Sequence, residues 1–293
     1  MSEIGKNILI PIDFKETSLV ALEQSYKLAH SLDLGLVLLY VHEDPSILMG
    51  LFTPDDFEKQ KARIQSKIDE VAAKAAKESG LPTIGMVKEG KIYQEIARVA
   101  EVLQSKFIIM GTSSNIEHTE NGMMGANTSR VIRSAPCPVI TINSKHNFNG
   151  CRSILLPLDL SQETRQKVTH ALIMAKAFKA KIKVMSALWS KNNEMIINQL
   201  NFQLQQVRNF IESEGVACEA VLVESTGKEK SLVPIILRHA AEEGDIDLII
   251  IMTQNELSLI QFFVSSSAQE IMRHSEIPVM SVIPKELGYT SIG

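Results

Sequence analysis

Short runs of apolar residues alternate with longer amphipathic stretches along the whole chain. In the first half the apolar runs occupy residues 7–13, 35–41, 83–88, 107–110 and 138–142, and each has the length and continuous hydrophobicity of a buried strand. The stretches between them predict helices, the first of which we expect to be capped by Thr17 or Ser18. Strands that alternate with helices and are apolar on both faces favour a parallel sheet covered by helices on each side, with right-handed crossovers.

The same order of elements begins again at Cys151. The run ending at Asp159 repeats the run ending at Asp13, and the two aspartates lie 159 − 13 = 146 residues apart. Near the end of the chain, Pro278 stands in a sequence that matches the one around Pro138, at a separation of 278 − 138 = 140. The chain is therefore predicted to be a tandem duplication, with domains at 1–146 and 151–284 joined in the polar stretch 143–150.

Composition narrows the class of protein. The 293 residues are 45% hydrophobic and carry a net charge of −4, with Lys and Arg scattered along the predicted helices, which argues against nucleic-acid binding. The amino terminus lacks a signal-like apolar run and no segment is long enough to span a bilayer, so we expect a cytoplasmic protein that does not contact membranes. Three cysteines without a C-x-x-C pair favour reduced structural thiols over zinc, and no metal site is expected.

The stretch from 107 to 139 holds the strongest candidate for chemistry. Gly111 and Gly125 bracket a connector of 125 − 111 − 1 = 13 residues between a strand and a helix that should begin near Ala126. This connector is longer than most in compact domains, which favours a functional loop. The helix would direct unpaired N–H groups and the positive end of its dipole into the loop, an arrangement that favours phosphate. The alternative is a solvated surface loop.

Strand order would decide whether distant residues meet this loop. In an open α/β sheet, ligands bind at the carboxyl ends of the strands where the strand order reverses. If the order is 3-2-1-4-5, Asp13 and the glycine loop share one crevice, with Val41 on the same edge. We interpret this as a nucleotide site, with Asp13 and the backbone near Val41 toward the base. Alternatively, or in addition, Asp13 caps the helix that follows it.

Several of these segments resemble the universal stress protein family in its tandem form: ILIPIDFKETS, YVHEDP, FIIMGT and APCPVITI. The resemblance covers nearly the whole chain. It implies two flavodoxin-like, adenine nucleotide α-hydrolase-like α/β domains, each a doubly wound five-stranded parallel sheet of order 3-2-1-4-5. It also implies that the fifth strands, at residues 139–142 and 278–283, meet in an intramolecular pseudo-dimer. The ligand implied is ATP or AMP, with or without magnesium.

The family's loop pattern, G-x2-G-x9-G-(S/T), maps onto the first copy with departures. Gly111 and Gly125 take the first and third glycine positions, but Ser114 stands at the second, the spacing is one residue longer, and Ala126 replaces the hydroxyl residue. These changes are expected to weaken binding. The first-copy residues predicted to contact nucleotide are Pro11, Ile12, Asp13, Val41, Met110, Gly111, Thr112, Ser114, Gly125, Ala126, Asn127 and Thr128.

The second copy departs further from the pattern. Met252 replaces the first glycine and Ser265 the third, and Glu270 stands where the first copy has Arg130 and would repel phosphate. We therefore expect no nucleotide there and a structural role for the domain. The residues that could still form a site are Asp159, Ser265, Ser266 and Ser267.

Three functions fit these patterns. The first is a nucleotide-binding stress-response protein that acts through partner proteins, which the sequence does not identify. The second is a slow ATP-hydrolysing enzyme, which lacks paired carboxylates for magnesium and any general base other than Asp13. The third is a scaffold that binds no nucleotide. Association of two chains into a homodimer is compatible with each.

Overall fold

The structure is a computed structural model, and it describes residues 4–43, 54–112, 125–143, 150–158, 164–188, 194–229, 231–253 and 266–284. Strands and helices alternate throughout these ranges. The first copy contains β1 Asn7–Pro11, α1 Glu16–Ser31, β2 Gly35–His42, α2 Pro54–Ser79, β3 Thr83–Glu89, α3 Ile92–Val102, β4 Phe107–Gly111, α4 Ala126–Ser134 and β5 Val139–Ile142. The second contains β6 Ser153–Leu158, α5 Thr164–Phe178, β7 Lys181–Leu188, α6 Glu194–Ser213, β8 Cys218–Glu224, α7 Leu232–Glu243, β9 Leu248–Met252, α8 Ser266–His274 and β10 Val279–Val282.

The ten strands form one sheet of order β3-β2-β1-β4-β5-β10-β9-β6-β7-β8. Neighbours within each copy are parallel, so both copies have the predicted order 3-2-1-4-5. The predicted α/β fold is confirmed.

The copies meet where β5 pairs with β10 in antiparallel orientation. Met280 lies opposite Ile140, and both side chains are buried. Thr141 Oγ1 donates to the carbonyl of Val279 at 3.2 Å, and Ser281 Oγ donates to the carbonyl of Val139 at 3.1 Å. The predicted meeting of the fifth strands is confirmed, and each strand covers backbone groups that would otherwise form an open sheet edge.

Hydrophobic layers cover both faces of the sheet. On β1, Ile8 and Ile10 belong to one layer and Leu9 to the other, and all three are fully buried. Helices α1, α2, α5 and α6 contribute to the first layer, and α3, α4, α7 and α8 to the second. Burial on both faces explains why the strands are continuously apolar. Among the described helices, none combines the length and the hydropathy that a membrane crossing requires.

The predicted cap of α1 is wrong. The helix begins at Glu16, its N-cap position is Lys15, and no side chain caps it. The chain turns early because Phe14 adopts a left-handed conformation, with φ of 61°. Ser18 therefore lies inside the first turn, where its buried hydroxyl accepts the N–H of Asp13 at 3.3 Å and donates to the carbonyl of Lys15 at 2.9 Å.

The three thiols differ in accessibility. Cys137 is half-buried, whereas Cys151 and Cys218 are buried. Burial is the main cause that raises the pKa of Cys151 to about 12 and that of Cys218 to about 11. Because the thiolate is the reactive form, we expect Ellman's reagent to modify one thiol rapidly in the native protein and all three in guanidinium chloride. Rapid modification of two or three native thiols would contradict the burial of Cys151 and Cys218.

Candidate functional site

The strand register brings three predicted residues level at one edge of the sheet. Ile8 pairs with Phe107 on one side and with Leu36 on the other, which are offsets of 107 − 8 = 99 and 36 − 8 = 28. Continued along parallel strands, these offsets place Thr112 (13 + 99) and Val41 (13 + 28) beside Asp13 at the carboxyl ends of their strands. These three residues therefore lie at the same edge of the sheet, as the predicted strand order requires.

The carboxylate of Asp13 shapes the turn between β1 and α1. Its Oδ1 accepts the N–H of Lys15 at 3.0 Å, and its Oδ2 lies 3.5 Å from Lys15 Nζ. Partial burial raises the pKa of Asp13, but hydrogen bonding by Ser18 and Lys15 and the Lys15 charge outweigh it and hold the pKa below its usual value. The carboxylate closes the turn instead of capping α1, since Lys15 precedes the helix. With 52% of its side chain exposed, Asp13 can still accept a hydrogen bond from a ligand.

Phe14 fixes the position of Asp13, and the sequence interpretation missed it. The ring stacks on Tyr40 with centroids 5.2 Å apart, and Lys67 Nζ lies 4.3 Å from the centroid of Phe14. These contacts help to hold a non-glycine residue in a left-handed conformation that is otherwise costly. The available signal was an aromatic residue directly after the acid that follows β1.

The other predicted residues at this edge differ in burial, and therefore in which of their groups could contact a ligand. Ile12 and Met110 have side chains in the two hydrophobic layers, so only their backbone groups could reach a ligand. Pro11 and Val41 are half-buried. Thr112 donates its N–H to the carbonyl of Ile142 at 2.9 Å, which ties the end of β4 to β5.

Gly111 is required by the packing of the protein itself. A Cβ placed on this residue would lie 2.3 Å from the carbonyl oxygen of Thr17 and 2.7 Å from its carbonyl carbon. The end of β4 thus touches the first turn of α1, and no side chain fits between them. The close backbone approach at Gly111 is therefore made to α1.

The start of α4 is open by comparison. Among the described residues, a Cβ on Gly125 would meet only Thr128 Oγ1, at 3.7 Å. No side chain caps the helix, and the first hydrogen bond to Gly125 comes from the N–H of Ser129 at 3.1 Å. Within the described ranges the N–H groups of Ala126, Asn127 and Thr128 have no partner, so they remain able to bind an anion. Ser114 lies outside the described residues.

Arg130, one turn further along α4, stacks on an aromatic ring. Its guanidinium carbon lies 5.5 Å from the ring centroid of Tyr93 on α3. This contact accounts for its position without a phosphate. It also keeps a positive charge near the start of α4, in the helix that would receive the anion.

Sequence comparison assigns this architecture to a family. The profile described as the universal stress protein family matches residues 5–143 and again residues 150–282. The chain belongs to the universal stress protein family. A universal stress protein of Methanocaldococcus jannaschii is 29% identical over 140 residues, which are 47% of this chain and 81% of the relative.

Solved structures of similar fold extend over both repeats. A universal stress protein from Archaeoglobus fulgidus superimposes with a TM-score of 0.72 at 17% identity, covering 96% of this chain and 97% of the other. A functionally unknown protein from Pseudomonas aeruginosa superimposes with a TM-score of 0.65 at 18% identity, covering 95% and 92%. At these identities the likeness establishes the fold.

The second universal stress protein repeat has the same edge with different chemistry. Asp159 and Ser265 lie outside the described residues, Ser266 is the first residue of α8, and Ser267 is exposed in its first turn. Lys167 is buried, and its Nζ donates to the carbonyl of Pro157 at 2.6 Å. The first repeat has Ala21 at this position (21 + 146 = 167), so aligning the two copies would have revealed the added cation.

A carboxylate network shapes the loop between β8 and α7 in the second repeat. Glu229 accepts the N–H and Oγ1 of Thr226 at 2.8 and 2.7 Å, Ser225 Oγ at 2.9 Å, and Arg238 Nε at 2.8 Å. These hydrogen bonds, above all those from Thr226, hold the pKa of Glu229 well below its usual range. The stabilisation is present above the unfolded-state pKa, about 4.3, and is lost as pH falls through the lower folded-state pKa.

At about pH 7, Glu229→Gln is therefore expected to unfold at a lower urea concentration than wild type does. The difference between their urea midpoints should shrink as pH falls below about 4. Urea unfolding at about pH 7, 5 and 3 measures this. Glu242→Gln serves as a control, because Glu242 pairs with the same Arg238 but is largely exposed. A difference that stays constant with pH would contradict the assignment.

Proposed function

We propose that the first repeat binds an adenine nucleotide, ATP or AMP, at the carboxyl edge of its sheet, and that the protein acts in a stress response through partner proteins. The proposal rests on one arrangement. Asp13, Val41 and Thr112 lie level at the edge where β1 and β4 are neighbours, and β4 leads into the segment that ends at the unpartnered amides of α4. This is the strand-order reversal at which α/β sheets bind ligands.

Each group has a chemical role in this proposal. The exposed oxygen of Asp13 accepts a hydrogen bond from the adenine amino group, next to backbone groups at Val41. The amides of Ala126, Asn127 and Thr128 bind phosphate oxygens, favoured by the helix dipole. Gly125 leaves room for the phosphate, since among the described residues a Cβ there would meet only Thr128 Oγ1, at 3.7 Å. Magnesium, when bound with ATP, would take ligands from the phosphates, since Asp13 is the one carboxylate among the residues that we assign to this site.

The departures from the family pattern weaken this site without removing it. Ala126 lacks a hydroxyl, and a lost neutral hydrogen bond costs about 1 kcal/mol, about a factor of five in affinity. We propose that the second repeat binds no nucleotide. Glu270 on α8 is a negative charge in the helix that would receive phosphate, and the repeat serves as the partner of the first across the β5–β10 seam.

Isothermal titration of the purified protein with ATP and with AMP tests the binding proposal, and native mass spectrometry of freshly isolated protein reports retained ligand. Saturable binding of one nucleotide per chain is expected. If the isolated protein retains no nucleotide and the titrations show no binding of added ATP or AMP, the scaffold function is favoured instead. ATP turnover by wild type that disappears in Asp13→Ala would favour the hydrolase.

Asp13→Ala is expected to weaken AMP binding about tenfold or more, because a hydrogen bond to a charged group contributes about 1.5–3 kcal/mol. Titration calorimetry measures the change. Lys15→Ala is the matched control, since it removes the ion pair of Asp13 but keeps the carboxylate, and should bind AMP nearly as wild type does. Equal affinity in Asp13→Ala and wild type would contradict the role of Asp13.

A further inference from the structure

One flank of α6 exposes apolar side chains to solvent. Met195 is 70% exposed, Phe202 66%, Phe210 47% and Ile196 38%. At 100° per residue these four positions fall within one sector of about 120°. The buried residues of the helix, including Leu200, Leu204 and Ile211, lie on the adjacent sector. We call the four exposed residues the α6 flank.

The first repeat shows that the fold does not require this flank. Helices α2 and α6 align through their inward-facing residues, since 204 − 68, 207 − 71 and 211 − 75 all equal 136 and each pair packs in the same hydrophobic layer. With this offset, the four flank residues correspond to exposed polar residues of α2. These are Lys59, Gln60, Ser66 and Lys74.

The polar residues between the flank side chains are uncharged. Gln199 and Gln206 are exposed on the same sector of α6, and an amide can both donate to and accept from an identical amide. A surface made of aromatic, methionine and amide groups is therefore complementary to itself. The corresponding positions of α2, by contrast, include four charged residues, Lys59, Arg63, Glu70 and Lys74. Depletion of charge with enrichment of Phe and Met is typical of interface cores.

The exposed apolar area of the flank limits the size of the contact that it could make. From the exposed fractions, and with about 150–250 Å² for a whole phenylalanine, the four side chains leave roughly 400 Å² of apolar surface. That lies within the usual size of a functional patch on a monomer. Two such flanks bury roughly 800 Å², below the value of about 1,600 Å² typical of stable complexes.

We propose that the α6 flank is a homodimer contact, in which α6 of one copy packs against α6 of a second copy of this chain. A two-fold axis through the middle of the flank brings Phe202 near Phe202 of the second copy. The same axis places Gln199 near Gln206 of that copy. Given the small area, we expect the dimer to be weak and reversible. The contact is independent of the nucleotide site.

Sedimentation velocity over about 1–200 μM protein tests the proposal. Wild type should shift reversibly from monomer to dimer with concentration. The double variant Phe202→Ser and Phe210→Lys, which installs the residues of the first repeat, should weaken the dimer at least tenfold. Val102→Lys, at a residue of α3 that is 63% exposed and outside the flank, is the control and should dimerise as wild type does.

Circular dichroism serves to check that each variant keeps its fold, as we expect for substitutions at exposed positions. Wild type that stays monomeric up to about 200 μM would overturn the proposal and leave the flank to a different partner. A dimer that forms equally well in the double variant would also overturn it, because the contact would then lie elsewhere. Nucleotide titration of the double variant should match wild type, which separates this proposal from the proposed function.

Discussion

Replacing Gly111 with alanine is expected to lower the free energy of unfolding by about 3 kcal/mol or more. The added Cβ would overlap the backbone of Thr17, which lies 2.3 Å away and belongs to the first turn of α1. Backbone cannot rotate aside as a long side chain can, so β4 and α1 must separate. Overpacking usually costs about 1–3 kcal/mol, and a backbone clash belongs at the upper end or beyond it.

Urea unfolding monitored by circular dichroism measures the loss. Gly125→Ala provides the matched control, because its Cβ has room and its φ of −48° suits alanine. Its unfolding free energy should stay within about 1 kcal/mol of wild type. If the two alanine variants prove equally stable, Gly111 does not pack against α1 as described.

Gly125→Val is expected to reduce nucleotide affinity at least about 100-fold, or about 2.7 kcal/mol, while leaving the fold intact. A branched side chain at this position adds bulk in front of the amides of Ala126 and Asn127. Among the described residues its Cβ meets no atom closer than the hydroxyl of Thr128, so stability should change little. Titration with ATP and AMP measures the affinity, and circular dichroism the fold.

The control for this variant comes from the second repeat. Ser267→Val adds a similar side chain in the first turn of α8, where we expect no nucleotide, and should leave binding unchanged. Unchanged affinity in Gly125→Val would count against a phosphate site at α4. Loss of affinity in Ser267→Val would instead place nucleotide in the second repeat.

Sequence predicted the features of the fold that depend on local pattern. Apolar runs fixed the strands, and once β1 and β4 are neighbours the register alone brings Asp13 and Thr112 together. The meeting of β5 and β10 followed from family resemblance, because a four-residue apolar strand does not specify which edge it will pair with. The predicted binding residues remain predictions.

The features that sequence did not provide depend on tertiary contacts. Gly111 and Gly125 look alike in the sequence, as glycines at the two ends of a loop. In the structure Gly111 packs against α1, whereas a Cβ on Gly125 would have no contact closer than 3.7 Å among the described residues. The distinction requires knowing where Thr17 lies. Similarly, the left-handed turn at Phe14 depends on Tyr40 and Lys67, which come from other elements, and it shifts the start of α1 ahead of the predicted cap.

The antiparallel seam between β5 and β10 governs how the duplicated halves face their surroundings. Because every other pairing among the described strands is parallel, the strands of one half point opposite to those of the other, and the carboxyl ends of the two parallel sets lie at opposite edges of the sheet. A molecule bound at the carboxyl edge of one half therefore lies far from the corresponding edge of the other half. Substitutions at one of these edges need not alter the other.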